Sequence, residues 1–171
     1  PHSKLGVKGP EGVNAINQLM RSKGVWKGAS TDGTGFVSAC RHIGVEPSGS
    51  ILRIRGGGST ARSIAAAWSS EGGSIIPERG RRELVRGPWD SCILESGNAD
   101  ISIDLDSAPA GGKSVELESD IQVSISYDES SSRSEFAIIM VVAQHLEAWH
   151  SLFAPKDWKS IPGLEDVLAH L

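Results

Sequence analysis

Apolar and polar positions along this chain switch between two periods. Ser50–Arg55 (SILRIR) alternates every second residue, as a half-buried strand does, and runs directly into GGGSTARSIAAAWSS. There Ala61, Ile64, Ala65 and Trp68 fall on one helical face, and Gly72–Gly73 closes the helix. Ser74–Ile76 is a second short strand, and Arg79–Val85 reads as helix or turn. Asp100–Leu105 (DISIDL) and Asp120–Tyr127 (DIQVSISY) alternate again. Ser134–Phe153 carries Phe136, Ile139, Met140, Ala143 and Leu146 at helical spacing, and Leu164–Leu171 forms a last short helix after Pro162–Gly163.

Upstream the signals are weaker. Gly12–Leu19 fits a short strand or a first helical turn, and Lys23–Ala29 a turn with a short extended piece. A helix from about Gly35 to Ile43 follows, capped by Ser30 or Asp32 and ended by Gly44. Strands alternating with helices predict an α/β fold: a Rossmann-like, mostly parallel sheet with helices on both faces. Arg53 and Arg55 are awkward for a central strand of that sheet, because a buried charge must be paired. The acidic run Ile103–Asp106 raises the same difficulty.

Composition removes several function classes. The 171 residues carry a net charge of −4, so no basic field draws nucleic acid or an anionic membrane. No apolar run reaches the ~20 residues that span a bilayer. Cys40 and Cys92 match no metal spacing and read as reduced thiols of a cytoplasmic protein. Pro1 stands where a methionine would begin a complete chain, which implies a fragment or a processed product.

The chemistry concentrates at Gly56–Gly57–Gly58–Ser59–Thr60–Ala61–Arg62, between a strand and a helix. Glycines there let the backbone turn off the strand and approach a pyrophosphate, while the helix N-terminus offers free N–H groups. An ordinary glycine-rich turn is the alternative. After the next strand comes Glu78–Arg79–Gly80–Arg81–Arg82. Arginines in that place pair with the 2′-phosphate of NADP, whereas an acidic residue binds the ribose hydroxyl of NAD. The arginines favour NADP and Glu78 opposes it. A solvated basic turn is the plain alternative.

Several segments, in order, resemble the shikimate dehydrogenases. GVNAINQL is similar to their G-A-V-N-T-L, with Asn14 on the substrate-binding asparagine. GASTDGTGF is similar to G-D-N-T-D-G-x-G-F, which places Asp32 on the catalytic aspartate. GGGSTARS resembles the nucleotide loop G-x-G-G-x-x-R, and ERGRR the phosphate clamp N-R-T-x-x-R, matching Arg79 and Arg82. SAPAGG resembles the T-P-x-G loop, Tyr127 falls near a substrate tyrosine, and MVVAQHLEAWH puts Gln144 on the substrate-binding glutamine. Lys4 lies in PHSK, which is similar both to the V-T-x-P-H-K segment of the catalytic lysine and to an H-S-x-S-P substrate motif.

The resemblance implies NADP-dependent interconversion of 3-dehydroshikimate and shikimate, a small-molecule reaction needing no metal. Lys4 and Asp32 would be catalytic, and Asn14, Tyr127 and Gln144 would bind substrate. Gly56 to Arg62, with Glu78, Arg79 and Arg82, would hold the cofactor. It further implies three parts: residues 1–33 as a remnant of the N-terminal substrate domain, 34–133 as the NADP-binding unit, and 134–171 as helices packing back on the substrate side. Family members are longer, and most of their N-terminal domain has no counterpart here. A nucleotide-binding remnant without catalysis therefore stands as the alternative. Read without the resemblance, Asp32 is equally a helix cap, Lys4 a terminal lysine and Asn14 a turn residue.

Overall fold

A computed structural model describes residues 7, 9–106, 115–125, 133–153 and 156–171. Its elements run β1 (Gln18–Ser22), β2 (Val25–Ala29), α1 (Asp32–His42), β3 (Ile51–Arg55), α2 (Ser59–Ser70), β4 (Ser74–Glu78), β5 (Ile101–Asp104), β6 (Ile121–Val123), α3 (Arg133–Ala148) and α4 (Leu164–Leu168). Alternation in the strands builds a four-stranded sheet of order β4-β3-β5-β6 in which every pairing is parallel. Register places Leu52 beside Ile75 and Ile101, and Ile54 beside Ile103. These side chains share one face with Val123.

The helices α1, α2 and α3 bury their apolar stripes in the same core, through Phe36, Trp68 and Phe136 among others. Phe36 packs against Trp68 and Phe136 with ring centroids 6.0 and 5.7 Å away. Burying each such side chain contributes about 2 kcal/mol. Glycines 33 and 35 let the helices come close. A Cβ on Gly33 would collide with the Ser63 carbonyl of α2, and one on Gly35 with the Gln144 side chain of α3.

The opposite face of the sheet carries the charges. Arg53 donates to Glu78 at 2.6 Å and to the carbonyls of Glu118 and Gly97 at 2.8 and 2.9 Å. Arg55 reaches both oxygens of Asp104 at 3.0 Å. Register sets Arg55 directly opposite Asp104, so the two charges that looked awkward for a central strand form a cross-strand ladder. This polar face meets irregular chain around Gly97 and Glu118, while the long helices gather on the apolar face.

β1 and β2 form an antiparallel hairpin through Lys23–Gly24, both at positive φ (48° and 81°). Such a two-residue turn matches the strand twist. Neither strand has a clean alternation, which is why only a turn and a short extended piece were expected. Arg79–Val85, expected as helix or turn, forms no helix. α3 continues through a wider-wound turn, Trp149–Phe153. The stretch Glu135–Phe153 is by length and composition apolar enough to cross a membrane, contrary to the expectation that no run is. Phe136, Ala137, Ile139, Met140 and Ala143 of that stretch lie buried in the core. Lys4, Tyr127 and the loop after Asp106 lie outside the described residues.

The chain leaves β3 through α2 to β4 on one side, and β5 lies on the other side of β3. The crevice at the carboxyl ends of β3 and β5 is therefore where ligands settle in an open α/β sheet.

Candidate active site

Helix α1 begins at Asp32, with Thr31 in the cap position and no side-chain capping bond. The free Gly33 N–H is satisfied instead by Ser63 Oγ of α2, at 2.9 Å. Asp32 is thereby released from capping. Its Oδ1 accepts from Asn17 Nδ2 at 2.5 Å and from Gln144 Nε2 at 3.3 Å, and its Oδ2 accepts from Thr60 Oγ1 at 3.1 Å. Three separate parts of the fold converge on one carboxylate: the segment entering β1, the first turn of α2, and α3. Asn17 is fixed in turn by the Thr31 backbone N–H, which donates to its Oδ1 at 3.0 Å.

Gly56 leaves β3 with φ 112°, a conformation that a side chain would strain. Nothing lies within 4 Å of where a Cβ on Gly58 would stand, so the N-terminus of α2 opens to space. The first N–H groups of a helix have no partner within it, which suits that opening to an anion. The loop therefore fits a diphosphate. Gly57 faces another way: the backbone of Glu83 and Leu84 fills the place of its Cβ. The arginine turn thus folds back along the glycine loop. Together they line a groove of about 480 Å³ bounded by Gly57, Arg62, Arg79, Gly80, Arg81, Arg82, Glu83 and Val85.

Of the residues singled out in the sequence, Asp32, Thr60 and Gln144 come together. Gly57, Arg62, Arg79 and Arg82 line the adjoining groove. Three have duties of their own. Thr60 serves Asp32. Arg62 holds the carbonyls of Val13 and Gly57 at 2.9 and 3.1 Å, bracing the loop. Glu78 pairs with Arg53, so its charge, expected to oppose a phosphate, is already compensated.

Asn14 does not join the cluster. It is exposed at φ 52° in a turn, and its backbone N–H donates to Pro10. Asn17 takes the place beside Asp32. The signal was present, since AINQL follows the family's A-V-N-T-L more closely than the Asn14 register does. Ser63, which frees Asp32, carried no motif that could have marked it.

No protein-family model matches the chain. Among curated proteins, a shikimate dehydrogenase (NADP(+)) of Rubrobacter xylanophilus is 43% identical over 106 residues, covering 52% of this chain and 37% of that protein. The chain thus spans well under half the length of that relative. Among solved structures, shikimate dehydrogenase 1 from Peptoclostridium difficile superposes with a TM-score of 0.65 at 15% identity, covering 99% of this chain and 71% of that one. A shikimate dehydrogenase in complex with NADP+ superposes with a TM-score of 0.60 at 16% identity, covering 90% and 64%. By sequence over part of its length this chain is similar to the shikimate dehydrogenases, and over nearly all of it the chain has the fold seen in their solved structures.

Proposed function

We propose that the chain binds NADP and uses it to interconvert 3-dehydroshikimate and shikimate. The observation that carries this reading is the convergence of Asn17, Thr60 and Gln144 on the Asp32 carboxylate, beside a glycine loop open at Gly58. The related shikimate dehydrogenase that is 43% identical is named for NADP(+).

In this reading the N-terminus of α2 and Gly58 hold the diphosphate, and Arg79 and Arg82 bind the 2′-phosphate. The nicotinamide, when bound, supplies or accepts the hydride. The protein's own side chains manage the proton and the geometry. Asp32 is fixed by three donors, so it presents its carboxylate to a substrate hydroxyl with little reorganisation. Gln144, an amide with a donor and its oxygen left over, orients a neighbouring hydroxyl of a polyol ring, while Asn17, whose amide is committed to Thr31 and Asp32, holds the carboxylate in place. Lys4, matched by resemblance, would pass the proton to and from the carbonyl oxygen, with Tyr127 on the substrate side. Residues 1–33 then supply substrate contacts, 34–133 the nucleotide site, and 134–171 the return of Gln144 to the substrate. The expected setting is the cytoplasm.

Shikimate and NADP+ added to the purified chain should yield NADPH, followed by its absorbance. Asp32→Asn should cut the rate by about 100-fold or more while NADPH still binds. Turnover that survives the substitution overturns the role of Asp32. Because the chain matches only 37% of its curated relative, a nucleotide-binding module without turnover is the second reading. NADPH binding with no product formation would select it.

A further inference from the structure

We propose that Asp106 is a specificity-determining positioning residue, whose buried carboxylate anchors the arginine turn after β4 and so sets a preference for a nucleotide bearing a 2′-phosphate. The inference rests on the nucleotide-binding reading above. Asp106 lies two residues beyond β5 and is 5% exposed. A carboxylate so deeply buried requires partners. Its Oδ2 accepts the backbone N–H of Arg81, and its Oδ1 lies 3.7 Å from Arg81 Nε. Its own backbone N–H donates to Asp104 Oδ1 at 2.9 Å, which ties it to the Arg55 ladder.

Gly80 makes room for this anion, because a Cβ there would strike the carboxylate, and Gly56 packs beside it, with a Cβ position in ordinary contact at 3.5 Å from its Oδ1. The loops that follow β3, β4 and β5 therefore meet at a single side chain. The consequence for charge is specific. Asp106 compensates Arg81, and Arg79 makes a solvent-exposed pair with Glu83 at 3.2 Å. Arg82 has no hydrogen bond or ion pair among the described residues. An exposed pair is weak and readily exchanged for a stronger anion. Arg79 and Arg82 are thus the cations left for a ligand, on a turn whose backbone Asp106 fixes over the groove. A charge-assisted bond to a phosphate depends on such fixing, because a mobile arginine must first be ordered.

Fluorescence titration with NADPH and with NADH tests this on the whole chain, its Asp106→Ala variant and its Asp106→Asn variant. The unmodified chain should favour NADPH by about tenfold or more. Asp106→Ala should shrink that preference to about threefold or less by weakening NADPH alone. Asp106→Asn keeps an oxygen for the Arg81 N–H and should retain most of it. Hydrogen exchange at the Arg81 amide, read without nucleotide, should quicken about tenfold in Asp106→Ala and little in Asp106→Asn. If Asp106→Ala does not fold, Arg81→Pro removes the donor instead and should show the same lost preference. Unchanged preference in the variants, or equal weakening of both nucleotides, overturns the inference and leaves the nucleotide reading standing. An unmodified chain that binds neither nucleotide overturns both.

Discussion

At the scale of single residues, the site depends on which asparagine meets Asp32. Asn17 and Asn14 both sit in turn-rich sequence, and the GVNAINQL match was set on Asn14 although AINQL fits A-V-N-T-L more closely. The hairpin decided it, because β1 starts at Gln18 and brings the residue before it against the start of α1. Asn17→Ala removes a donor to a carboxylate, worth about 1.5–3 kcal/mol, and should lower kcat/KM for shikimate by roughly tenfold or more. Asn14→Gly suits the positive φ at that position and should change kcat/KM by less than about twofold. Steady-state kinetics on both variants separates the two assignments.

Cys40 offers a residue-scale test independent of function. Burial in the core pushes its thiol well above the ordinary value of 9.0, since the thiolate cannot be solvated there. The unfolded chain ionises this thiol once pH passes 9.0 while the folded chain keeps it protonated. Cys40 therefore favours folding below that pH, and its contribution is lost as pH rises above it, by up to about 1.4 kcal/mol per pH unit. Urea midpoints should fall less steeply between about pH 8 and about pH 10 in Cys40→Ala than in the unmodified chain. Equal slopes would show that Cys40 ionises alike in both states.

At the scale of elements, strands and helices with a single clear period were legible. The alternation in Ser50–Arg55 and Asp100–Leu105 marked β3 and β5, and the stripe Ala61, Ile64, Ala65, Trp68 marked α2. The hairpin was less legible because its side chains are mostly exposed, leaving no buried face to impose a pattern. The arginines of β3 and the acidic run beside them argued against a well-packed sheet only while each was considered alone. Their pairing is a matter of strand register, which one strand's letters do not contain.

That ladder carries its own prediction. Arg55 has a side chain 17% exposed, opposite an Asp104 side chain 5% exposed. Asp104 also accepts the backbone N–H groups of Asp106 and Val115. Asp104→Ala would take the buried carboxylate away from a poorly hydrated guanidinium and two backbone donors, which typically costs about 3–5 kcal/mol. Urea denaturation should show that loss, whereas an effect under about 1 kcal/mol would mean the ladder is solvated.

At the scale of the whole molecule, one topological fact positions the chemistry. Parallel strands and the reversal of direction at β3 put three loop ends on one rim, where the glycine loop, the arginine turn and Asp106 meet. The helices on the apolar face bring Asp32 and Gln144 to that rim. A ligand that binds only the folded chain stabilises it by about 2.7 kcal/mol at a concentration 100 times its Kd. Calorimetric titration of the chain with NADPH is the most direct test of whether this rim is a nucleotide site. Saturable binding of one NADPH per chain is expected, weakening as salt screens the arginines. Heats no larger than dilution up to about 1 mM NADPH, where even a binding energy of ~4 kcal/mol would register, would contradict it.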